Sequence, residues 1–320
     1  MFNIFKKKQK GKDFLIIEIG LEKITCAIFK KEEGAIKLSG VGRKKFFSQE
    51  EVFDATLEAL DALAAIVPEL PNRGILGISG GSLETTTNIA RYTRPNPKKL
   101  ITKEETEDVL ANVVENIENS EKKIFFSVVA NGNIDGVKVT NPLGLKGEKV
   151  ELDCFIASKD TAEIAILDRL ADEIELTIEK IVPTSFYVSK ILERNNLKDA
   201  LIFRGGLNKS ELTVITDGHV SEILAVDIGI QESEFLPYAL QTSLKEVKPE
   251  NAPALVWLFA DNDEVSLDSF KEVFMSFSWN SKLGYQIAPK IEIAEAIHNF
   301  SPSDMGIYAL SRQEGGSEAN

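Results

Sequence analysis

The stretch Asn141-Pro142-Leu143-Gly144-Leu145-Lys146-Gly147, followed by Val150-Glu151-Leu152-Asp153-Cys154-Phe155-Ile156-Ala157, decides how the rest of the chain is read. Asn-Pro opens a turn, because proline fixes its own φ and pushes Asn141 toward an extended backbone. Gly144 and Gly147 tolerate positive φ, so a tight loop is expected. The following strand alternates, with Val150, Leu152, Cys154 and Ile156 on one face and Glu151, Asp153, Phe155 and Ala157 on the other. Taken alone, this is a glycine-rich turn entering a half-buried strand, which is an ordinary structural hairpin.

The flanks narrow the reading. Upstream lie Gly77-Ile78-Ser79-Gly80-Gly81-Ser82 and Ile101-Thr102-Lys103-Glu104-Glu105; downstream come Asp160 and a long helix. This order resembles the inserted subdomain of the FtsA family of bacterial division proteins, with PilM of pilus machinery as a cousin. The resemblance covers the chain to about Ile191, and the remainder more weakly. It implies an α/β, actin-like (ribonuclease H-like) two-lobe fold carrying an inserted α+β subdomain, in a divergent and shortened member of the actin-like ATPase superfamily. The expected division is a basic, aromatic tail (1–12), a first lobe (13–72 plus 158–198), the inserted subdomain (73–157), a reduced second lobe (199–312) and a flexible tail (313–320).

Composition bounds the function classes. A net charge of −13 argues against a nucleic-acid partner, which requires concentrated positive charge. Cys26 and Cys154 both sit in apolar strand patterns and are expected to be reduced core residues of a cytoplasmic protein. His219 and His298 are too few and too isolated for a metal site. No run reaches the ~18 apolar residues of a membrane span. Phe2, Ile4 and Phe5, with Lys6, Lys7 and Lys8, form either a frayed tail or a weak foot on anionic lipid, at about 1 kcal/mol per lysine.

Periodicity supplies the elements. Phe14 to Ile19, Ile24 to Phe29 and Ile36 to Val41 are strands, and a helix from Gln49 to Val67 lays Phe53, Leu57, Leu60, Ala64 and Val67 on the sheet. In the inserted module, Gly74 to Ile78 and Ile124 to Ala130 are strands, and Thr102/Glu105 is a capping box for a helix with the stripe Val109, Val113 and Ile117. The basic, proline-rich loop Arg91 to Leu100 is expected to be solvated. Asp160/Glu163 make a second capping box, ahead of the buried stripe Ile164, Leu167, Leu170 and Ile174. The strand Leu176 to Val182 and the helix Ser185 to Arg194 then close the lobe. The second lobe begins with a meander, Ala200 to Phe203, Glu211 to Ile215 and Val220 to Val226, with Asp217-Gly218 as its hairpin turn. A helix from Glu232 to Val247, the strand Ala254 to Phe259 and a helix capped by Ser266 follow, with a short closing helix from Met305 to Ser311.

Actin-like ATPases hold phosphates between two glycine hairpins, with carboxylates for magnesium and water. Here the first hairpin is Glu18-Ile19-Gly20-Leu21-Glu22-Lys23, where the family resembles Asp-Ile-Gly-Thr-Ser-Lys; Glu22 sets a carboxylate where phosphate would lie. The second is Phe203-Arg204-Gly205-Gly206-Leu207-Asn208-Lys209-Ser210-Glu211, in which Arg204 replaces the magnesium-associated aspartate. Ala260-Asp261-Asn262 stands in place of a third glycine cluster. The residues the resemblance marks for nucleotide are therefore Glu18, Gly20, Lys23, Gly205, Gly206 and Glu211, in a degenerate site for which ATP and magnesium are doubtful and no cofactor is expected. Only Lys248-Pro249-Glu250-Asn251 bridges the helix around Leu236 and the strand at Ala254, where the family has a further subdomain that receives the C-terminal tail of FtsZ. The cleft is accordingly expected to be open on one side.

The favoured expectation is a non-catalytic scaffold at the cytoplasmic face of the membrane, working through protein contacts. Its expected partners are itself, in an oligomer or filament through Asn141, Pro142, Leu143 and Gly144, and either a tubulin-like division protein or pilus membrane proteins. A PilM-like pilus assembly role and an ATP-binding switch are the alternatives.

Overall fold

Consecutive apolar residues at Phe14-Leu15-Ile16-Ile17 must be buried on both faces at once. β1 (Asp13–Ile19) accordingly runs in the middle of a five-stranded sheet. The computed structural model describes residues 13–315, apart from 33–34, 118–119, 194–197, 248–252 and 298–299. The expected lipid foot (Phe2, Ile4, Phe5, Lys6, Lys7, Lys8), His298, the bridge Lys248–Asn251 and most of the C-terminal tail lie outside the described residues.

In the first lobe, β2 (Lys23–Glu32) and β3 (Ala35–Lys45) follow as an antiparallel meander. The next helix, α1 (Val52–Ala64), is shorter than its periodicity predicted, because Gln49–Glu51 form a 3-10 turn and the α-helix stops before Val67. Its buried stripe is Val52, Ala55, Thr56, Ala59, Leu60 and Leu63, while Phe53, Leu57, Ala64 and Val67 are only partly buried at its flanks. β4 (Arg73–Ile78), expected in the inserted module, instead pairs in parallel with β1 and belongs to the first sheet.

The inserted module comprises β5 (Glu84–Thr93), α2 (Lys103–Ile117), β6 (Lys122–Ile134), β7 (Val137–Val139) and β8 (Lys149–Asp160), in a sheet of order β5-β8-β6-β7. The alternation of β8 sorts its faces as expected. Val150, Leu152 and Cys154 pack under α2, and Phe155 and Ala157 face the opposite way. The first lobe resumes with α3 (Thr161–Glu173), β9 (Thr177–Pro183) and α4 (Thr184–Glu193). Asp160 is the N-cap of α3 but makes no side-chain cap, and Glu163 turns away to Lys159, Gln49 and the Ser82 amide.

The second lobe repeats the plan of the first. β10 (Ala200–Gly205), β11 (Ser210–Thr216) and β12 (His219–Val226) form the meander, with Asp217 and Gly218 both at positive φ, 53° and 83°. α5 (Leu236–Val247), β13 (Leu255–Ala260), α6 (Leu267–Ser276), α7 (Trp279–Leu283), β14 (Lys290–Ile293) and α8 (Met305–Gly315) complete the chain. The two lobe sheets have matching orders, β3-β2-β1-β4-β9 and β12-β11-β10-β13-β14, each with two antiparallel and two parallel pairings. Ser266 caps α6 by accepting from the Ser269 amide.

The closing helix expected from Met305 to Ser311 forms and runs on to Gly315 as α8. It places Ile307 and Leu310 in the core of the first lobe and Met305 and Ala309 in that of the second, so it joins the two. A second join is made by the inserted module. The Thr85 and Thr87 hydroxyls donate to the Ile223 and Ser221 carbonyls, and the Ile223 amide donates back to Thr85 Oγ1. These hydroxyls satisfy part of the outer edge of β12, which would otherwise be an unpaired sheet edge. Among the described residues, no helix is long and apolar enough to cross a membrane.

The basic loop Arg91 to Leu100 is largely exposed, as expected, but Arg94 departs from it. Arg94 is buried, and its guanidinium donates to both Glu105 oxygens (2.7 and 3.0 Å) and to the carbonyls of Lys99, Leu100 and Gly147 (2.9, 3.1 and 3.2 Å). Burial pushes the Glu105 carboxyl up, but its bonds to Arg94 and Tyr92 outweigh this and hold it below the usual carboxylate range. Lysine carries the charge without the planar fork. Arg94→Lys should therefore lose about 2–3 kcal/mol in urea denaturation, since it orphans buried carbonyls.

Candidate functional site

The site lies where the C-terminal ends of β1, β4 and β10 meet the start of β11. β1 delivers Glu18, β10 delivers Arg204, and Glu211 stands opposite Arg204 in the β10–β11 register. Asp261 follows the end of β13. All four side chains are almost completely excluded from solvent. Arg204 Nη1 lies 2.8 Å from Glu18 Oε1 and donates to Ser79 Oγ at 2.7 Å, while Nη2 lies 2.8 Å from Asp261 Oδ1. Burial alone would lower the affinity of Arg204 for its proton, but the charges of Glu18, Asp261 and Glu211 reverse this and hold it firmly cationic. Burial dominates at Glu18 and Glu211. It pushes the Glu18 carboxyl up against the pull of Arg204, and neither Glu18 oxygen accepts a well-formed hydrogen bond. Glu211 is raised by the same cause, although it accepts from the Gly80 amide (2.9 Å) and from Ser185 Oγ.

Above this cluster the two glycine hairpins face each other, and each is closed by a carboxylate of the chain itself. Asp261 accepts from the Leu21 and Glu22 amides, both at 2.8 Å, so it occupies the concavity of the first hairpin. Glu22 accepts from the Leu207 amide (2.6 Å), the Asn208 amide (2.7 Å) and Asn208 Nδ2 (2.8 Å), which fills the second. Backbone amides arranged in this way make an anion-binding nest. The close approach is what demands glycine. A Cβ on Gly20 would lie 2.5 Å from Asp261 Oδ1, and one on Gly206 would lie 3.0 Å from Glu22 Oε2 and 2.6 Å from the Lys209 carbonyl.

Glu18, Gly20, Gly206 and Glu211, expected around a nucleotide, are therefore brought together, but around Arg204 and the two plugging acids. Gly205 is there for a different reason: a Cβ would meet the Phe270 ring at 2.2 Å. Lys23, expected beside phosphate, turns away, its Nζ donating to the Ser303 carbonyl at 2.9 Å and lying 3.6 Å from Asp304. Asp304 is pushed up by burial but held below the usual range by Arg43 and Lys23. The cleft expected to be open on one side is closed at this level. The cavity left beside Gly20, Glu22 and Lys209 measures about 110 Å³, against roughly 300 Å³ or more for small-molecule sites. Sequence reasoning missed Asp261 as the partner of the first hairpin; its signal was an unpaired acid next to a lost glycine cluster.

At the loop Asn141–Gly147, Asn141 Oδ1 accepts from the Leu143 amide at 2.9 Å; of the expected self-association surface Pro142 is buried, while Asn141, Leu143 and Gly144 are exposed. Gly144 has φ +76°, as expected, but Gly147 does not adopt positive φ; a Cβ there would strike Ile134 Cγ2 at 2.2 Å.

No protein-family model matches the chain, and no curated protein sequence matches it. Solved structures do match. The structure described as the PilM-PilN type IV pilus biogenesis complex aligns at 12% identity and TM-score 0.61, over 95% of this chain and 98% of that one. A protein of Bacteroides thetaiotaomicron, described as having an actin-like ATPase fold and unknown function, aligns at 10% identity and TM-score 0.52, over 98% and 99%. At this identity the likeness establishes the fold, and the chain has the two-lobe actin-like ATPase fold.

Proposed function

We propose that this actin-like protein is a non-catalytic scaffold whose lobes are held together by internal ion pairs in place of a metal nucleotide. The observation that carries this reading is the pair of carboxylates, Asp261 and Glu22, that already satisfy the amides a triphosphate would need. Arg204 supports it, since a buried cation stands where the fold's ATPases present an acid to magnesium. The residues do not fit ATP and magnesium, so no catalytic step is assigned to them.

The scaffold's work is then protein contact. The PilM-PilN complex, the solved neighbour with TM-score 0.61, favours a place in pilus-type assembly with membrane proteins as partners. The Asn141–Gly147 motif, which resembles the FtsA family, is the observation behind the second reading, an adaptor for a tubulin-like division protein. Pull-down from the native cell, followed by identification of what is retained, separates the two. The nucleotide claim has its own test. Millimolar ATP with magnesium should leave the melting temperature unchanged, because a ligand that does not bind the native state cannot stabilise it. A rise of several degrees that disappears without magnesium overturns the reading.

A further inference from the structure

The loop that opened the sequence reading is built to hold apolar side chains out in water. Its two strands of backbone are tied together, the Ile101 amide to the Leu145 carbonyl (2.8 Å) and the Gly144 amide to the Ile101 carbonyl (2.9 Å). Beneath them, buried Arg94 binds the carbonyls of Lys99, Leu100 and Gly147. On this fixed frame Leu100, Leu143 and Leu145 are 50%, 41% and 38% exposed. Rigid display of three leucines on one tip carries a solvation cost with no return inside the molecule, so the return lies in something outside it.

Charge decides what that is. Lys98, Lys99 and Lys146 are exposed beside the leucines, on a chain whose net charge is −13. No acid occurs between Arg94 and Lys103, or between Asn141 and Gly147. Leucines flanked by lysines suit the interface of an anionic bilayer, in which the apolar tips enter the acyl boundary and the ammonium groups stay among the headgroups. A bilayer also requires no complementary concavity, which a three-leucine tip of this kind would need on a protein. We infer that the tip formed by residues 98–100 and 143–146 is a peripheral docking site for an anionic lipid surface, which orients the inserted module toward the membrane.

The test is flotation of the full chain with vesicles of phosphatidylcholine alone or mixed with phosphatidylglycerol. Binding is expected to the mixed vesicles only, and to weaken with added salt. The double variants Lys98→Glu/Lys99→Glu and Leu143→Ser/Leu145→Ser should each reduce partitioning by roughly tenfold or more. A second readout is local. Cys26 and Cys154 are buried and unpaired, so Leu143→Cys offers the one exposed thiol among the described residues for an environment-sensitive fluorophore, which should shift to the blue on mixed vesicles. Absence of flotation, flotation unchanged by both tip variants, or a label that stays in water overturns the inference. So does a concentration-dependent dimer that the leucine variant dissolves, because the tip would then face a second copy.

Discussion

Arg204→Met should lose about 3–5 kcal/mol of unfolding free energy, the range found when one partner of a buried charge pair is removed. The guanidinium is 1% exposed and is the cation that Glu18 and Asp261 both reach at 2.8 Å. Without it, three carboxylates face one another in a medium that penalises each of them. The sign of the pH dependence follows. Glu18 and Glu211 already lie above the ordinary carboxylate range because they are buried, and Arg204 pulls both down. In the variant their folded-state values rise further, so the native state binds more protons than the unfolded one and stability falls as pH rises. The deficit should be widest in mildly alkaline urea denaturations and should narrow as pH falls through those raised values. Arg204→Met/Glu18→Gln should recover part of the loss at neutral pH. A single variant within about 1 kcal/mol of the native chain would mean that the cluster does not join the lobes.

Glu22→Ala tests the other half of the closure. Its carboxylate receives two backbone amides and one side-chain amide from the second hairpin. Deleting it orphans three donors that are only part-buried, so each falls at the low end of the about 1–3 kcal/mol for an unsatisfied group, and a loss of about 2–4 kcal/mol is expected. The emptied nest should then accept a small oxyanion. Sulfate, on the order of ten millimolar, should raise the melting temperature of Glu22→Ala by mass action and shift the native chain by less. Equal sulfate responses in the two proteins would show that Glu22 is not occupying an anion site. The comparison uses the native carboxylate as its own competitor, so general salt effects cancel.

Much of the secondary structure was legible in local pattern. The stripe Ile164, Leu167, Leu170 and Ile174, the Ser266 cap, the Asp217-Gly218 turn and the alternating β8 all sit where spacing placed them. Each depends on neighbours a few residues away, which a linear reading can see. The losses have equally physical causes. β14 is four residues, Lys290-Ile291-Glu292-Ile293, too short and too charged to announce a strand. β4 was assigned to the wrong module because parallel pairing with β1 leaves no turn between the partners. Arg94 looked solvated because its neighbours are prolines and lysines, whereas one of its anchors, the Gly147 carbonyl, is 53 residues away.

The closed cleft is the plainest case. Hydrophobic period and glycine placement act locally, so residue order gave the strands, helices and hairpins, and the resemblance to the FtsA family implied their two-lobe actin-like plan. Whether those hairpins were empty or filled depended on Asp261 reaching Leu21 across 240 positions, and on Glu22 reaching Leu207 across 185. Coulomb attraction and hydrogen bonding act over a few ångströms of space with no regard to chain separation, so only the folded molecule brings these acids to their amides.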